Sequence, residues 1–302
     1  MKNRFIGLLA KLKLAVALTL LIAVGSVSAQ EFPQGLIGLS STDLGALYTI
    51  NPNTGRATLF VTTDGETSIV GLSYIEGTLY GSDIEDYPGS PIPDDFTVGS
   101  IATDGTVTFI SNQNESSNWW GLASDDCGGN VLYSMDSDNS NILTALLPNG
   151  TVQTIGTGSD IGFGGMAYDD ENEILYGLSD QDEGMNLYRI STTTGDLTLV
   201  GPIGDFEATL NTSLAYDEIN QILYANFSGA LYTLNVNTGA ATLVGQNNAD
   251  DETIDGLAWL DPCGPPPPDV QVPTLSEWGL IAMAGVLGVV GFMVARRRKI
   301  TA

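Results

Sequence analysis

The chain has 302 residues with 36 acidic and 10 basic side chains, and its formal charge at pH 7 is −26. All 36 acids lie between Glu31 and Glu277 with only Arg56 and Arg189 among them, so this segment carries a formal charge of −34. Such a charge makes nucleic acid and anionic lipid poor partners. The chain has no histidine and this segment has no lysine, which excludes Ser-His-Asp and Cys-His catalysis, imidazole metal sites and Schiff-base chemistry.

The N-terminus is typical of a secretory signal peptide. Basic residues among the first 13 positions precede a short apolar stretch at 14–24, and small residues at 27–29 precede a cleavage site. The sequence predicts that signal peptidase removes residues 1–29 by cleaving between Ala29 and Gln30. An uncleaved anchor is the alternative, although the apolar stretch is short for a membrane span.

The middle of the chain repeats a unit of four short β-rich runs separated by turn residues. Five hairpin glycines, spaced 50, 45, 45 and 44 residues apart, separate the third run from the fourth: Gly55, Gly105, Gly150, Gly195 and Gly239. The first run starts at five positions spaced 50, 44, 48 and 43 residues apart: Gly71, Gly121, Gly165, Ser213 and Gly256. The two series are offset, because the first hairpin glycine has no first run before it and the last first run has no hairpin after it.

This offset predicts an all-β fold, a five-bladed β-propeller over residues 30–263 with four strands in each blade. The chain would begin with strands at 36–40, 47–50 and 58–61, and residues 257–260 would return to supply the missing strand of that blade. Pairing the N- and C-terminal strands closes the ring and leaves no blade incomplete. A stacked β-solenoid or a pair of β-sandwiches is the alternative.

Acidic residues are the remaining candidates for chemistry. The loops between the second and third strands and between the fourth and first strands share one face, where alternate acids offer the oxygen ligands that Ca²⁺ binds. These acids are Asp136, Asp138, Asp180 and Asp182. Neither Asp136 and Asp138 nor Asp180 and Asp182 belong to a complete EF-hand motif, so Ca²⁺ binding rests on these alternate acids alone. The sequence indicates no other metal or cofactor. The acid pairs at 125–126, 169–170 and 217–218 fall in the first hairpins and are interpreted as turn caps.

Cys127 and Cys263 are the two cysteines of the chain. Both fall in the exported part, where an oxidising compartment allows one disulfide between them. They follow comparable strand positions in separate repeats, so an unpaired state is the alternative.

The C-terminal region begins with a proline-rich linker at 264–271. VPTLSEWG follows at 272–279, and residues 278–295 form a stretch of 18 without a charge before RRRK at 296–299. As a helix the stretch is roughly 27 Å long, just enough to cross the hydrocarbon core. The sequence predicts a transmembrane helix whose basic end holds the C-terminus in the cytoplasm.

This tail resembles the bacterial IPTL-CTERM sorting signal, a relative of the PEP-CTERM signals that exosortase-like membrane enzymes process. The residues that carry the resemblance are Val272, Pro273, Thr274, Leu275, Ser276, Glu277, Trp278 and Gly279. Val272 stands where isoleucine is usual. The resemblance covers residues 272–299 and implies a Gram-negative cell, export across the inner membrane, and cleavage near the motif that releases the ectodomain. A plain single-pass anchor is the alternative.

The repeats also resemble a bacterial family of domains of unknown function. The closest copy is LYTLN at 231–235 followed by TGAATLV at 238–244. The resemblance covers the ectodomain loosely and implies a propeller. It carries no catalytic residues.

Three function classes follow from these patterns. The first is a non-enzymatic propeller of the cell surface or extracellular matrix. It binds a glycan or protein through the face that carries the loops after the second and fourth strands of each blade. The second is a carboxylate-dependent glycoside hydrolase, which works without histidine but needs an acid pair that does not stand out here. The third is a purely structural surface protein. Hydrolase sites usually also need a positioning His, Arg or Lys, and this segment has only two arginines, so the first class is favoured over the second.

Overall fold

The structure is a computed structural model that describes residues 31–40, 45–63, 69–83, 98–110, 119–127, 129–136, 140–147, 149–179, 184–206, 212–247 and 254–260. Contacts divide the chain into Met1–Asp261 and Pro262–Ala302, and the described residues belong to the first unit. No helix in this part of the chain is long and apolar enough to cross a membrane. The predicted signal peptide, linker and membrane span lie outside the described residues.

Twenty strands make up the described fold. In chain order they are β1 (Gly35–Ser40), β2 (Ala46–Ile50), β3 (Ala57–Thr62), β4 (Ile69–Ile75), β5 (Thr78–Asp83), β6 (Val98–Ile101), β7 (Val107–Ile110), β8 (Ala123–Asp125), β9 (Val131–Asp136), β10 (Ile142–Leu146), β11 (Val152–Ile155), β12 (Phe163–Asp169), β13 (Ile174–Ser179), β14 (Asn186–Ile190), β15 (Leu197–Pro202), β16 (Ser213–Asp217), β17 (Ile222–Phe227), β18 (Ala230–Leu234), β19 (Ala241–Gln246) and β20 (Gly256–Leu260).

These strands form five antiparallel four-stranded sheets, the blades of a β-propeller. Blade 1 has the order β20-β1-β2-β3, and blades 2 to 5 contain β4–β7, β8–β11, β12–β15 and β16–β19 in turn. In blade 1 the last strand pairs with the first, with Leu36 opposite Trp259 and Ile37 opposite Ala258. The predicted closure by the two chain ends is therefore confirmed, and each predicted strand of this blade lies within one residue of its observed bounds.

The hydrophobic core consists of five separate clusters, one between each pair of neighbouring blades. Successive side chains of a strand point to opposite faces of its sheet, so one strand serves two clusters. In β1, Leu36 packs towards blade 5 while Ile37 packs towards blade 2. The inner strands of the blades, such as β1, β9, β13 and β17, are therefore buried on both faces, which explains their nearly continuous apolar sequence, whereas the outer strands β3, β11, β15 and β19 have exposed positions.

The innermost strands of the blades surround the propeller axis. The first residues of the five repeat signatures meet there as an axial ring, formed by Gly71, Gly121, Gly165, Ser213 and Gly256. A Cβ on Gly165 would lie 2.8 Å from the Cα of Ser213, and one on Gly256 would lie 2.9 Å from the carbonyl oxygen of Val70. Glycine is needed because the neighbouring backbone occupies the side-chain position. The space on the axis is too narrow for a water molecule, so among the described residues the axis is no ligand channel.

The hairpin glycines close the outer part of the blade interfaces. All five have positive φ, from 73° to 89°, as the hairpin interpretation requires. The glycine of one blade lies against the outer strand of the preceding blade: a Cβ on Gly55 would lie 2.5 Å from the carbonyl oxygen of Gly245, and one on Gly195 would lie 2.7 Å from that of Ile155. For Gly150 of blade 3, no described residue lies within 4 Å of the equivalent position.

Candidate functional site

A cleft lies between blades 2 and 3, and the turn that contains Gly150 forms part of its lining. It has a volume of about 280 Å³ and opens to solvent. Among the described residues the apolar cluster at this interface has six buried members, against nine to twelve at the other four interfaces. Within the described part of the chain, the cleft therefore coincides with the smallest apolar cluster between blades.

The floor and walls of the cleft are apolar. Its buried floor contains Ile75, Leu132 and Leu146. Half-buried walls are formed by Tyr80, by Ile110 from β7 and by Leu147 from the turn after β10. This lining accepts an apolar group, because burying one there removes apolar surface from water on both partners.

The rim of the cleft is polar and carries one carboxylate among the described residues that line it. Glu76 is exposed and has a φ of 44°, and the following Gly77 has a φ of 89°. Two consecutive positive φ values are those of a type I′ hairpin turn between β4 and β5. Thr78 and Asn130 complete the rim, and Asn130 is also left-handed with a φ of 52°. The turn geometry thus fixes the backbone of the two longest polar side chains at the mouth.

The cleft opens on the face opposite to the one that the sequence favoured for a ligand. The turn residues that line it belong to the hairpins after the first and third strands, whereas the loops that the sequence favoured follow the second and fourth strands. Of the four acids proposed for Ca²⁺, Asp136 is the last residue of β9 and is buried, and Trp119 forms a backbone bridge with it. Asp138, Asp180 and Asp182 lie outside the described residues, so the calcium hypothesis stays a prediction.

The first acid of each hairpin pair caps its own turn, as interpreted from the sequence. The Oδ1 atoms of Asp125, Asp169 and Asp217 accept hydrogen bonds from backbone N–H groups three or four residues later, at 3.0, 3.0 and 2.9 Å. These carboxyl groups satisfy the polar backbone of a tight turn, which accounts for them structurally.

The second acid of each pair joins neighbouring blades, which the sequence analysis missed. The N–H of Cys127 in blade 3 donates to Oδ1 of Asp170 in blade 4 at 3.2 Å. The N–H of Asp170 in turn donates to Oε1 of Glu218 in blade 5 at 2.7 Å. We call Asp126, Asp170 and Glu218 the turn relay. The signal for it was present, since all three occupy the residue directly after the innermost strand of their blade.

Burial and the proximity of other carboxyl groups raise the pKa values of two members of the turn relay, Asp170 and Glu218. Burial, together with hydrogen bonding and charge repulsion from Asp126, raises the pKa of Asp170 to about 10. Burial, with a further contribution from the charge of Asp169, raises the pKa of Glu218 to about 7. Burial and the neighbouring carboxyl groups therefore favour the protonated form of Asp170 in the folded protein.

Two members of the turn relay belong to a group of side chains that resembles a set of metal ligands. Carboxyl oxygens of Asp126 and Asp170 and the sulfur of Cys127 lie within 4.8 Å of one another. Cys127 is disulfide-bonded, so its sulfur is not a thiolate and cannot serve as a strong metal ligand. Its predicted pairing with Cys263 stays a prediction, because Cys263 lies outside the described residues.

Comparison with known families concerns the tail. Residues 271–298 match the family model of the IPTL-CTERM motif. The chain therefore ends in a C-terminal sorting signal, as the resemblance of VPTLSEWG indicated. An IPTL-CTERM motif fits export, location at the cell surface and processing by a sorting enzyme. No curated protein matches the sequence.

Solved structures match the propeller. A chain of the crystal structure of a nidogen/laminin complex superimposes with a TM-score of 0.53 at 13% identity, covering 76% of this chain and all of that one. TolB from Acinetobacter baumannii gives a TM-score of 0.47 at 13% identity, with coverage of 72% and 54% of the two chains. A protein of unknown function from Bacteroides thetaiotaomicron gives 0.44 at 14%, with coverage of 70% and 64%. At 13% identity the first likeness concerns the fold alone.

Proposed function

We propose that this chain is an exported propeller of a Gram-negative cell surface or matrix that binds a glycan or protein ligand in the cleft between blades 2 and 3 and catalyses no reaction. The C-terminal helix anchors it in the membrane until an exosortase-like enzyme cleaves near the IPTL-CTERM motif. The observation that carries the binding role is the solvent-open cleft between blades 2 and 3, which has an apolar floor and a polar rim among the described residues.

Two features support a role in binding rather than in structure alone. A purely structural propeller gains stability from filling every interface, because unfilled apolar space forfeits packing energy. Among the described residues, the smallest apolar cluster and the open cleft coincide at one interface. The polar rim around an apolar floor is the usual composition of a ligand site.

The lining of the cleft also supports a non-enzymatic role. A glycoside hydrolase needs two carboxyl groups on either side of the scissile bond. Glu76 is the one acid among the described residues that line the cleft. The carboxyl groups with raised pKa lie instead in the turn relay, where backbone N–H groups of neighbouring blades occupy them.

Processing of the tail is tested by mass spectrometry of the protein isolated from its own cells. We expect a chain that begins at Gln30 and ends near Thr274, because the sorting signal is a substrate of the processing enzyme. A variant with Pro273→Ala and Leu275→Ala is expected to keep the basic tail at 296–299. Recovery of the wild-type protein with that tail intact would contradict processing and leave a permanent anchor.

Ligand binding is tested on glycan and peptide arrays, with and without Ca²⁺, using the full chain in detergent. Thr78→Trp places an indole in the cleft and so displaces the ligand from its apolar lining. Affinity for the class of molecule that binds wild type is expected to fall about tenfold or more, because the lost apolar contact is worth about 1.5–3 kcal/mol. Ile219→Trp, on an exposed turn residue of blade 5, is the matched control and is expected to bind as wild type. Equal binding by both variants would contradict the proposal that the cleft is the binding site. Turnover of an array sugar that a single Asp→Asn or Glu→Gln change abolishes would establish an enzyme instead.

A further inference from the structure

The size of the cleft indicates that it holds part of a ligand rather than a whole one. This cleft measures about 280 Å³, at the lower end of the about 300–1,000 Å³ of pockets that enclose drug-sized molecules, and it is open to solvent. An anchor group therefore enters it while the rest of the ligand stays on the surface. A side chain projecting from an extended polymer has this form.

The floor selects an apolar anchor. Ile75, Leu132 and Leu146 are buried and aliphatic, and their surface offers no hydrogen bond to a hydroxyl group. A sugar placed there would lose its hydrogen bonds to water without replacement, which costs free energy for each buried hydroxyl. Tyr80 is the one aromatic ring among the described lining residues, so a sugar would also have a single stacking surface. These observations favour a leucine or phenylalanine side chain over a sugar ring.

The rim selects a positive charge next to that anchor. Glu76 is exposed at the mouth, on a turn whose backbone is fixed by two left-handed residues. The segment from Glu31 to Glu277 has 36 carboxylates against two arginines, so its field attracts cations over the whole surface and repels acidic partners. The cleft combines the apolar and the acidic requirement within one site.

We infer that the ligand of the cleft is an extended basic peptide segment, which places one large apolar side chain on the floor and a lysine or arginine beside Glu76. This inference rests on the proposed function and specifies its ligand class. It identifies the partner as an exposed, positively charged segment of another protein.

The test uses immobilised synthetic peptides in which one leucine or phenylalanine is flanked by lysines. Matched peptides replace the lysines by glutamates or the apolar residue by serine, and a glycan array is run in parallel. Full-length protein in detergent is compared with two cleft-filling variants, Thr78→Trp from the blade 2 side and Leu147→Trp from the blade 3 side. Glu76→Gln removes the charge at the mouth. Glu173→Gln is its matched control, because Glu173 is also an exposed left-handed residue that ends the equivalent turn, in blade 4.

We expect binding only to the peptides that carry both lysines and the apolar residue. Either cleft-filling variant should weaken this binding about tenfold or more. Glu76→Gln should weaken it about three- to fivefold at low salt and less at high salt, and Glu173→Gln should not change it. Thermal unfolding of each variant shows whether a loss reflects the cleft or the fold.

The remaining outcomes separate this inference from the proposed function. Glycans that bind in a cleft-dependent manner overturn the basic-peptide ligand and leave the proposed function intact. Basic peptides that bind all variants equally overturn the cleft as their site. No cleft-dependent binding on either array overturns both.

Discussion

Replacing Gly165 with alanine is expected to lower the free energy of unfolding by about 1–3 kcal/mol, the range measured for added atoms in packed cores. The added Cβ would lie 2.8 Å from both the Cα and the carbonyl carbon of Ser213. These are backbone atoms of β16, so no side-chain rotation relieves the overlap and two innermost strands must move apart. For a domain of this size the expected fall in Tm is about 2–4 °C for each kcal/mol.

The axial ring supplies its own control. Ser213 already carries a Cβ at the equivalent position of blade 5, and its buried Oγ has no hydrogen-bond partner. Ser213→Ala therefore removes an unsatisfied polar atom without adding bulk and is expected to leave stability unchanged or slightly raised. Thermal or denaturant unfolding of both variants measures the difference. Equal stability of Gly165→Ala and Ser213→Ala would show that the innermost strands are not in close contact.

The ring and its closure were predictable from the sequence because they depend on periodicity. Two series of five positions, offset by one strand, require that residues 257–260 complete the blade begun at 36–40. The observed pairing of β20 with β1 follows from that requirement. The reason for glycine at four of the five positions of the axial ring was not predictable, because it depends on how closely five strands approach the axis.

The cleft was not predictable in the same way, because it arises where one repeat differs from the others. The third-to-fourth-strand turns of blades 1, 4 and 5 close with a hydrogen bond to the residue four positions earlier, as from Gly55 to Asn51. Gly150 instead bonds Leu147, three positions earlier, in a turn that is one residue shorter. Blade 2 has a turn of the same short form at Gly105, yet that glycine still contacts the preceding blade. Turn length alone therefore does not reveal the cleft.

The turn relay shows a similar limit. The acid pairs at 125–126, 169–170 and 217–218 were visible, and the capping role of the first acid follows from local turn chemistry. The role of the second acid depends on the distance between turns of neighbouring blades, about 48 residues apart in sequence. Local reasoning about one hairpin cannot supply that distance.

Replacing Asp170 with asparagine is expected to raise Tm at alkaline pH and to flatten the dependence of stability on pH. The unfolded chain loses the Asp170 proton near 3.8, whereas the folded protein holds it up to a pKa of about 10. The stabilisation linked to this proton is complete below 3.8 and is lost as pH rises towards 10. Glu218, whose pKa rises from 4.5 to about 7, contributes a loss of the same sign over its own range. Asparagine stays neutral, and its Oδ1 can still accept the hydrogen bond from the N–H of Cys127.

The matched control for Asp170 is a turn aspartate with the opposite shift. Asp104 accepts a hydrogen bond from the N–H of Thr106 at 3.0 Å, and this bond lowers its pKa. Its contribution is present above 3.8 and lost as pH falls, so Asp104→Asn should leave the alkaline fall in stability unchanged. The test is Tm measured from about pH 4 to about pH 10 for both variants. The carboxyl groups of Asp125, Asp126 and Glu218 remain in both, so a difference between their pH profiles reports the loss of the Asp170 or Asp104 carboxyl group. If wild type and Asp170→Asn lose stability in parallel across this range, Asp170 does not hold its proton in the folded protein and the turn relay is not proton-linked.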